Sequence, residues 1–269
     1  AMFANSALMQ YLGLHDYMPS GVKAGTVVQP AALAVGEQVR ASGRELLTAI
    51  VAGYDVVDRL FAPTWDWVSD WTLPNPRPLV FLTAPFGAAA AAARLFGLSS
   101  EETAHALGHA GQAGMGIYEG PEHLWLLNPL ATRNGAMAAL FARAGMPASP
   151  TIVEGSHGFY RSFFGDDVPR SVWDGLATLG EEFGILKART KRWPVSALNA
   201  IPIELIHQVV LEHALTPRRV KALDVVLPAE RAERELAYDA VVNRGLRALM
   251  AMVIADGRLD VARYAEAQN

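Results

Sequence analysis

The chain contains no cysteine in its 269 residues. That excludes disulfides, thiolate metal ligands and a cysteine nucleophile, and it is compatible with a reducing cytoplasm, where the protein is expected to reside. It also lacks a basic run. The 23 lysines and arginines are scattered among 27 acidic residues for a formal charge of −4, so no row of phosphates would be neutralised and nucleic acid is not an expected partner. No apolar stretch approaches the roughly 20 residues that a bilayer crossing needs; the alanine run 88–93 is cut short by Arg94. The opening AMFANSALMQYL has neither the positive start nor the cleavage pattern of a signal peptide. Phosphate-binding glycine motifs are missing too: the glycines of GHAGQAGMG fall within or just after a helical pattern rather than after a strand, and no serine sits in a nucleophile elbow. No cofactor is therefore expected, and a small soluble ligand is the natural partner.

With 51% hydrophobic and 19% charged residues, the sequence is rich enough in apolar side chains for one large domain, or a domain with a small appendage. Residues 3–12 carry apolar side chains at helical spacing. A polar turn with glycine and proline follows over 13–26, the kind of segment that often carries function. Pro30 is placed to open the next helix, AALAVGEQVR. Ser42 and Glu45 form a capping box ahead of LLTAIVAGYDVVDRLF, and Ser99 with Glu102 form a second one. GAAAAAARLF has the small residues that let helices pack closely, and NPLATRNGAMAALFARAG reads as another core helix ended by Gly145.

Later the texture changes. EFGILKARTKRWP and VKALDVVLP read as strands on either side of an amphipathic helix around 198–213, with a further helix near 230–255. The expected architecture is mainly α: a helical domain over 1–185, a partial α+β lid-like segment over 186–228 and a C-terminal helical segment over 229–269.

Two features invite a functional reading. APTWDWVSDWTLPNPRP, 62–78, holds Trp65, Trp67 and Trp71 between prolines, the composition of an ordered loop over the core or of an aromatic pocket wall. His105 and His109 lie four apart on one helical face, the spacing of helical zinc ligands. Without a third ligand nearby, or a glutamate between them, they read as packed or hydrogen-bonded core histidines, and no metal site is expected.

FANSALMQYLGLHD, VVQPAALAVGEQVRASGRELLTAIVAGYDV, APFGAAAAAARLFGLSSEETAHALGHAG, NPLATRNGAMAALFARAG with TIVEGSHGF, and KRWP occur in the order in which the MmgE/PrpD superfamily places similar segments. The superfamily includes 2-methylcitrate dehydratase, cis-aconitate decarboxylase and iminodisuccinate epimerase. The resemblance runs over nearly the whole chain and is strongest from about residue 30 to 155. It implies an MmgE/PrpD-like helical domain with a smaller lid, a homodimer, and metal-free acid–base chemistry next to carboxylates. Relatives extend further at both ends, so the resemblance implies a reduced lid, incomplete or supplied by another polypeptide.

Carried over position by position, the resemblance gives a mixed set. Asp16 matches the second member of a family Asp-Asp pair, with His15 at the first, and would act as a base. The family's His-Pro-Gly is Lys23-Ala24-Gly25 here, a cation in place of a proton shuttle. Phe81 stands where a histidine is found, and Trp125 replaces a lysine ahead of the Asn-Pro helix start. The Lys-Pro-Tyr-Pro motif appears as Lys191-Arg192-Trp193-Pro194. Asp16, Lys191 and Lys23 are thus the catalytic candidates; His15, Tyr17, Phe81, Tyr118, His123, Trp125 and Trp193 are candidates for binding substrate. Replacing histidine and lysine by aromatic rings removes a proton carrier and a carboxylate-binding cation. The expected substrate is accordingly a carboxylate or carbonyl compound bulkier and less charged than methylcitrate, handled by a diverged lyase or isomerase. The alternative is a non-catalytic relative that binds a ligand or a partner subunit.

Overall fold

The computed structural model describes residues 1–11, 13–64, 79–114, 124–195, 197–229 and 245–259. The chain divides into two compact units, one formed by Ala1–Tyr11 and His15–Thr190, the other by Leu12–Leu14 and Lys191–Asn269. The fold is mainly α, as expected, and no described helix is long and apolar enough to cross a membrane.

The first unit is built from α1 (Met2–Tyr11), α2 (Gly25–Val39), α3 (Gly43–Phe61), α4 (Leu79–Phe96), α5 (Ser100–Gln112) and α6 (Leu124–Arg143), followed by the short α7 (Phe159–Phe164) and α8 (Arg170–Ala177). Both expected capping boxes are present. Ser42 accepts from the Glu45 amide while Glu45 accepts from the Ser42 amide, and Ser99 with Glu102 does the same, so the first orphan amides of α3 and α5 are satisfied reciprocally.

The alanine-rich α4 is the centre of this unit. Ala88, Ala89, Ala91, Ala92 and Ala93 are wholly buried, and α4 packs on α2, α3, α5 and α6. Small side chains permit this because backbones can approach one another. A β-carbon on Gly53 of α3 would lie 2.7 Å from Gly87 O, and one on Gly87 of α4 would lie 2.9 Å from Gly53 O. The two glycines thus meet backbone to backbone. Larger residues close the rest of the core, with Phe86, Tyr54, Phe61 and Tyr160 buried together.

Pro30 does not open α2, as the sequence suggested, but sits inside it. The helix begins at Gly25, and the ring at 30 deprives the Thr26 carbonyl of its usual donor four residues on. Ser6 repairs the loss: its hydroxyl donates to Thr26 O at 2.6 Å. Around this contact lies a buried polar network, in which Asn128 Nδ2 donates to Thr26 Oγ1 at 2.7 Å and to Gln10 Oε1 at 2.8 Å, and Thr132 Oγ1 donates to Ser6 Oγ at 3.2 Å.

The strands expected late in the chain are mostly not there. EFGILKARTKRWP forms a 3-10 turn, Gly184–Lys187, and then only the two-residue β2 (Arg189–Thr190). That strand pairs antiparallel with β1 (Asp16–Tyr17), Asp16 opposite Thr190 and Tyr17 opposite Arg189, within the helical unit. VKALDVVLP forms no strand; residues 221–226 are exposed, with Val226 96% accessible, so no buried face rewards a ladder there. The second unit is instead helical, with α9 (Ala197–Glu212) and α10 (Leu246–Asp256) enclosing a core of Trp193, Ile203, Ile206, Leu249 and Val253.

Candidate active site

Asp16 is held by the start of α2 and by α3. The Gly25 amide donates to Asp16 Oδ1 at 3.1 Å, and the Tyr54 hydroxyl donates to Oδ2 at 2.7 Å. Tyr54 Oη in turn accepts from Gln29 Nε2 at 2.8 Å. A carboxylate at a helix N-terminus is favoured by the unpaired amides and the helix dipole, and a phenol donating to it adds a charge-assisted bond. Gly25 is obligatory for this arrangement, because a β-carbon there would collide with Asp16 Oδ1 and lie 2.7 Å from Tyr54 Oη. Burial first, then the Asp16 charge, push the Tyr54 phenol well above the ordinary tyrosine range, so it stays a donor.

Lys23 lies in the same loop, on backbone fixed from both sides. Upstream, Met18 N donates to Val22 O at 2.9 Å and Gly21 N to Met18 O at 2.8 Å. Downstream, Thr26 Oγ1, itself held by Asn128, donates to Lys23 O at 2.9 Å. Val22 and Ala24 on either side are buried. Lys23 as a whole keeps some accessible surface, yet its ammonium is desolvated, which lowers its pKa below the ordinary lysine value. Among the described residues, no hydrogen bond or ion pair engages it.

In the second unit, Lys191 Nζ donates to Gly13 O at 2.8 Å and to Val195 O at 2.9 Å, tying segment 12–14 to the 191–195 turn. The buried Trp193 donates its indole N–H to Glu204 Oε2 at 2.7 Å and packs on His207, while Arg192 covers its ring and reaches Glu204 Oε1 at 2.8 Å.

Of the remaining candidates, His15 is buried with Nδ1 2.8 Å from Asp16 O. Tyr17 is half-buried in β1. Phe81 and Trp125 lie on the first turns of α4 and α6, with side chains outside the described set. Tyr118, His123 and the tryptophans at 65, 67 and 71 lie outside the described residues. His105 and His109 both face the 146–148 backbone: His105 Nδ1 is 2.9 Å from Ala148 O, and His109 Nε2 is 3.1 Å from Met146 O. Among the described residues, no group of three or more histidine or acidic side chains is arranged to hold a metal ion.

Two features are not visible in the sequence pattern. Tyr54 and Gln29 look like ordinary residues of their helices, and nothing in their spacing shows that Tyr54 meets Asp16 from 38 positions away with Gln29 donating to its phenol oxygen. The Asp55–Arg59 pair carries a spacing signal, four apart on α3, but its partners are distant. Asp55 Oδ2 accepts from Gly180 N at 2.8 Å, and Arg59 donates to Thr178 Oγ1 at 2.8 Å and to Glu182 O at 2.6 Å. A surface cavity of about 230 Å³ also opens beside His109, Gln112, Asn134 and Phe141, away from the Asp16 loop.

No curated protein matches the chain. The model of the MmgE/PrpD N-terminal domain matches residues 1–171, more than half of the sequence and nearly all of the first unit. With its alanine-centred helical unit and the carboxylate loop at the start of α2, the chain belongs to the MmgE/PrpD family.

Proposed function

We propose that the protein is a lyase or isomerase in which Asp16 accepts a proton from carbon next to a carboxylate or carbonyl group. The family consists of lyases and isomerases, and a carboxylate oriented on two donors is suited to such a transfer. The observation that carries the reading is the hold on Asp16: Gly25 N on one oxygen and Tyr54 Oη on the other orient the carboxylate. Lys23 supplies a cation or amine from the same loop, and Lys191 enters as a carboxylate-holding candidate by family resemblance. Phe81 and Trp125, where relatives carry a histidine and a lysine, favour a substrate with fewer charges than a tricarboxylate.

The test is hydrogen–deuterium exchange at the carbon next to the carbonyl or carboxylate, followed by NMR across a panel of oxo and carboxylic acids. Wild-type protein is expected to exchange at least one compound, and Asp16→Asn to lower that rate by about 10²-fold or more. Unchanged exchange in Asp16→Asn overturns the assignment.

A second reading is favoured by the same contacts. Both Asp16 oxygens hold α2 and α3 in place, and Lys191 binds backbone carbonyls, so these residues would also suit a non-catalytic family member that binds a ligand or a partner subunit. Such a protein would bind members of the panel with no exchange above buffer. A homodimer, which the resemblance implies, belongs to both readings and is checked by light scattering.

A further inference from the structure

A backbone amide can orient a carboxylate only if its own peptide is held, and the start of α2, where the Gly25 amide meets Asp16, has no side-chain cap to hold it: the cap position is Ala24. The hold comes from α6 instead. Asn128 Nδ2 donates to Thr26 Oγ1 at 2.7 Å, and Thr26 Oγ1 donates to Lys23 O at 2.9 Å, so the turn 23–26 is closed across the residue whose amide addresses Asp16. The Thr26 hydroxyl has a single proton, used on Lys23 O, and therefore only accepts from residue 128. That fixes which way the Asn128 amide faces. Both of its hydrogens are engaged, the second on Gln10 Oε1 at 2.8 Å, and its Oδ1 stays buried without a hydrogen-bond partner among the described residues. A stranded buried oxygen counts against stability, so asparagine at this place is better accounted for by the turn it ties than by stability alone.

We infer that Asn128 is a positioning residue for Asp16: from α6, through Thr26, it fixes the turn that presents the Gly25 amide to the carboxylate. Its effect on rate rests on the reading of Asp16 as a proton acceptor; its hold on the Gly25 amide does not. Ser6 assists from α1 by donating to Thr26 O at 2.6 Å, so the first turn of α2 is anchored from two other helices. Alanine at 128 removes the donor together with the stranded oxygen. Valine at 26 keeps the shape of threonine but neither accepts from Asn128 nor donates to Lys23 O. Either change releases the turn while leaving Gly25, Asp16 and Tyr54 in the sequence.

The test is amide hydrogen exchange by NMR at pH 7 on Asn128→Ala and Thr26→Val, with Tyr160→Phe as the comparison. Tyr160 donates to Leu60 O at 2.7 Å in the same unit, so that change removes a buried hydrogen bond made to α3 rather than to the 23–26 turn. Relative to amides in the middle of α3, Gly25 N–H is expected to exchange at least about tenfold faster in the first two variants, the equivalent of one hydrogen bond, and to keep its wild-type ratio in Tyr160→Phe. In the carbon hydrogen–deuterium assay, Asn128→Ala and Thr26→Val are expected to lower the maximal rate about tenfold at unchanged KM. An unchanged Gly25 ratio in both variants, or an equal rise in Tyr160→Phe, overturns the inference, as does a wild-type maximal rate in variants whose Gly25 amide is loosened. A loosened Gly25 amide, where the wild-type protein exchanges no panel compound, supports the hold on Asp16 and counts against Asp16 as base.

Discussion

Tyr54 donates its hydroxyl to Asp16 Oδ2 at 2.7 Å from a helix 38 residues further along the chain. The contact joins the loop before α2 to the middle of α3, and it leaves Gln29 donating to the same phenol oxygen. Removing the hydroxyl therefore leaves a carboxylate oxygen and an amide short of a partner at once.

Tyr54→Phe is expected to lower the unfolding free energy by about 1.5–3 kcal/mol, the range for a hydrogen bond to a charged group, as read by urea denaturation at pH 7. The pH dependence has a definite sign. The folded state holds the Tyr54 proton more tightly than the unfolded chain does, so this contribution is full below pH about 10 and is lost as the pH climbs above the unfolded tyrosine value. The stability gap between wild type and Tyr54→Phe should narrow above pH about 10. Tyr160, also pushed up by burial, is present in both proteins and cancels in the difference.

Gly25→Ala tests the same site sterically. The added carbon must displace Asp16 or Tyr54, and a loss of about 1–3 kcal/mol is expected, as for other overpacked positions. At Gly43, on the first turn of α3, an added β-carbon would meet nothing within 4 Å, so Gly43→Ala should be neutral or stabilising by up to about 1 kcal/mol. Equal effects of the two changes, by thermal melting, would contradict the close packing around Asp16.

The helix crossing at Gly53 and Gly87 makes a similar demand on the core. Neither residue can gain a side chain without separating α3 from α4, and Gly53→Ala is expected to reduce stability despite the better helix propensity of alanine, which by itself favours it by about 1 kcal/mol. Denaturant unfolding gives the sign directly.

Asp55 is buried, accepts from Gly180 N, and lies 3.5 Å from Arg59 Nε. Asp55→Ala would leave an arginine at 18% side-chain exposure without its carboxylate. The expected loss is about 3–5 kcal/mol, with increased proteolysis around residues 178–182 as a local readout.

Much of the fold is legible in the sequence because its causes are local. Ser42 with Glu45, and Ser99 with Glu102, announce helix starts through contacts three residues apart, and the alanine run of α4 announces close packing. The late strands are not legible because strand-like composition is not sufficient: Leu223, Val225 and Val226 are residues that favour strands, yet all three are exposed and bury no face. The place of Pro30 is hidden because the donor that allows it inside α2, Ser6, lies 24 positions earlier.

The candidate site shows the same division. The order of the segments suggests the family, and the resemblance in turn makes Asp16, Lys23 and Lys191 the candidate positions. Only the tertiary structure decided their surroundings. Asp16 received a phenol and a helix amide, Lys191 received two backbone carbonyls, and Lys23 was left desolvated with no described counter-charge. The surroundings of Asp16 and of the Lys23 loop depend on groups brought together across tens of residues by the packing of α1, α2, α3 and α6. Periodicity cannot encode such meetings, because the energy that fixes them comes from burial and long-range hydrogen bonds rather than from any local preference of the chain.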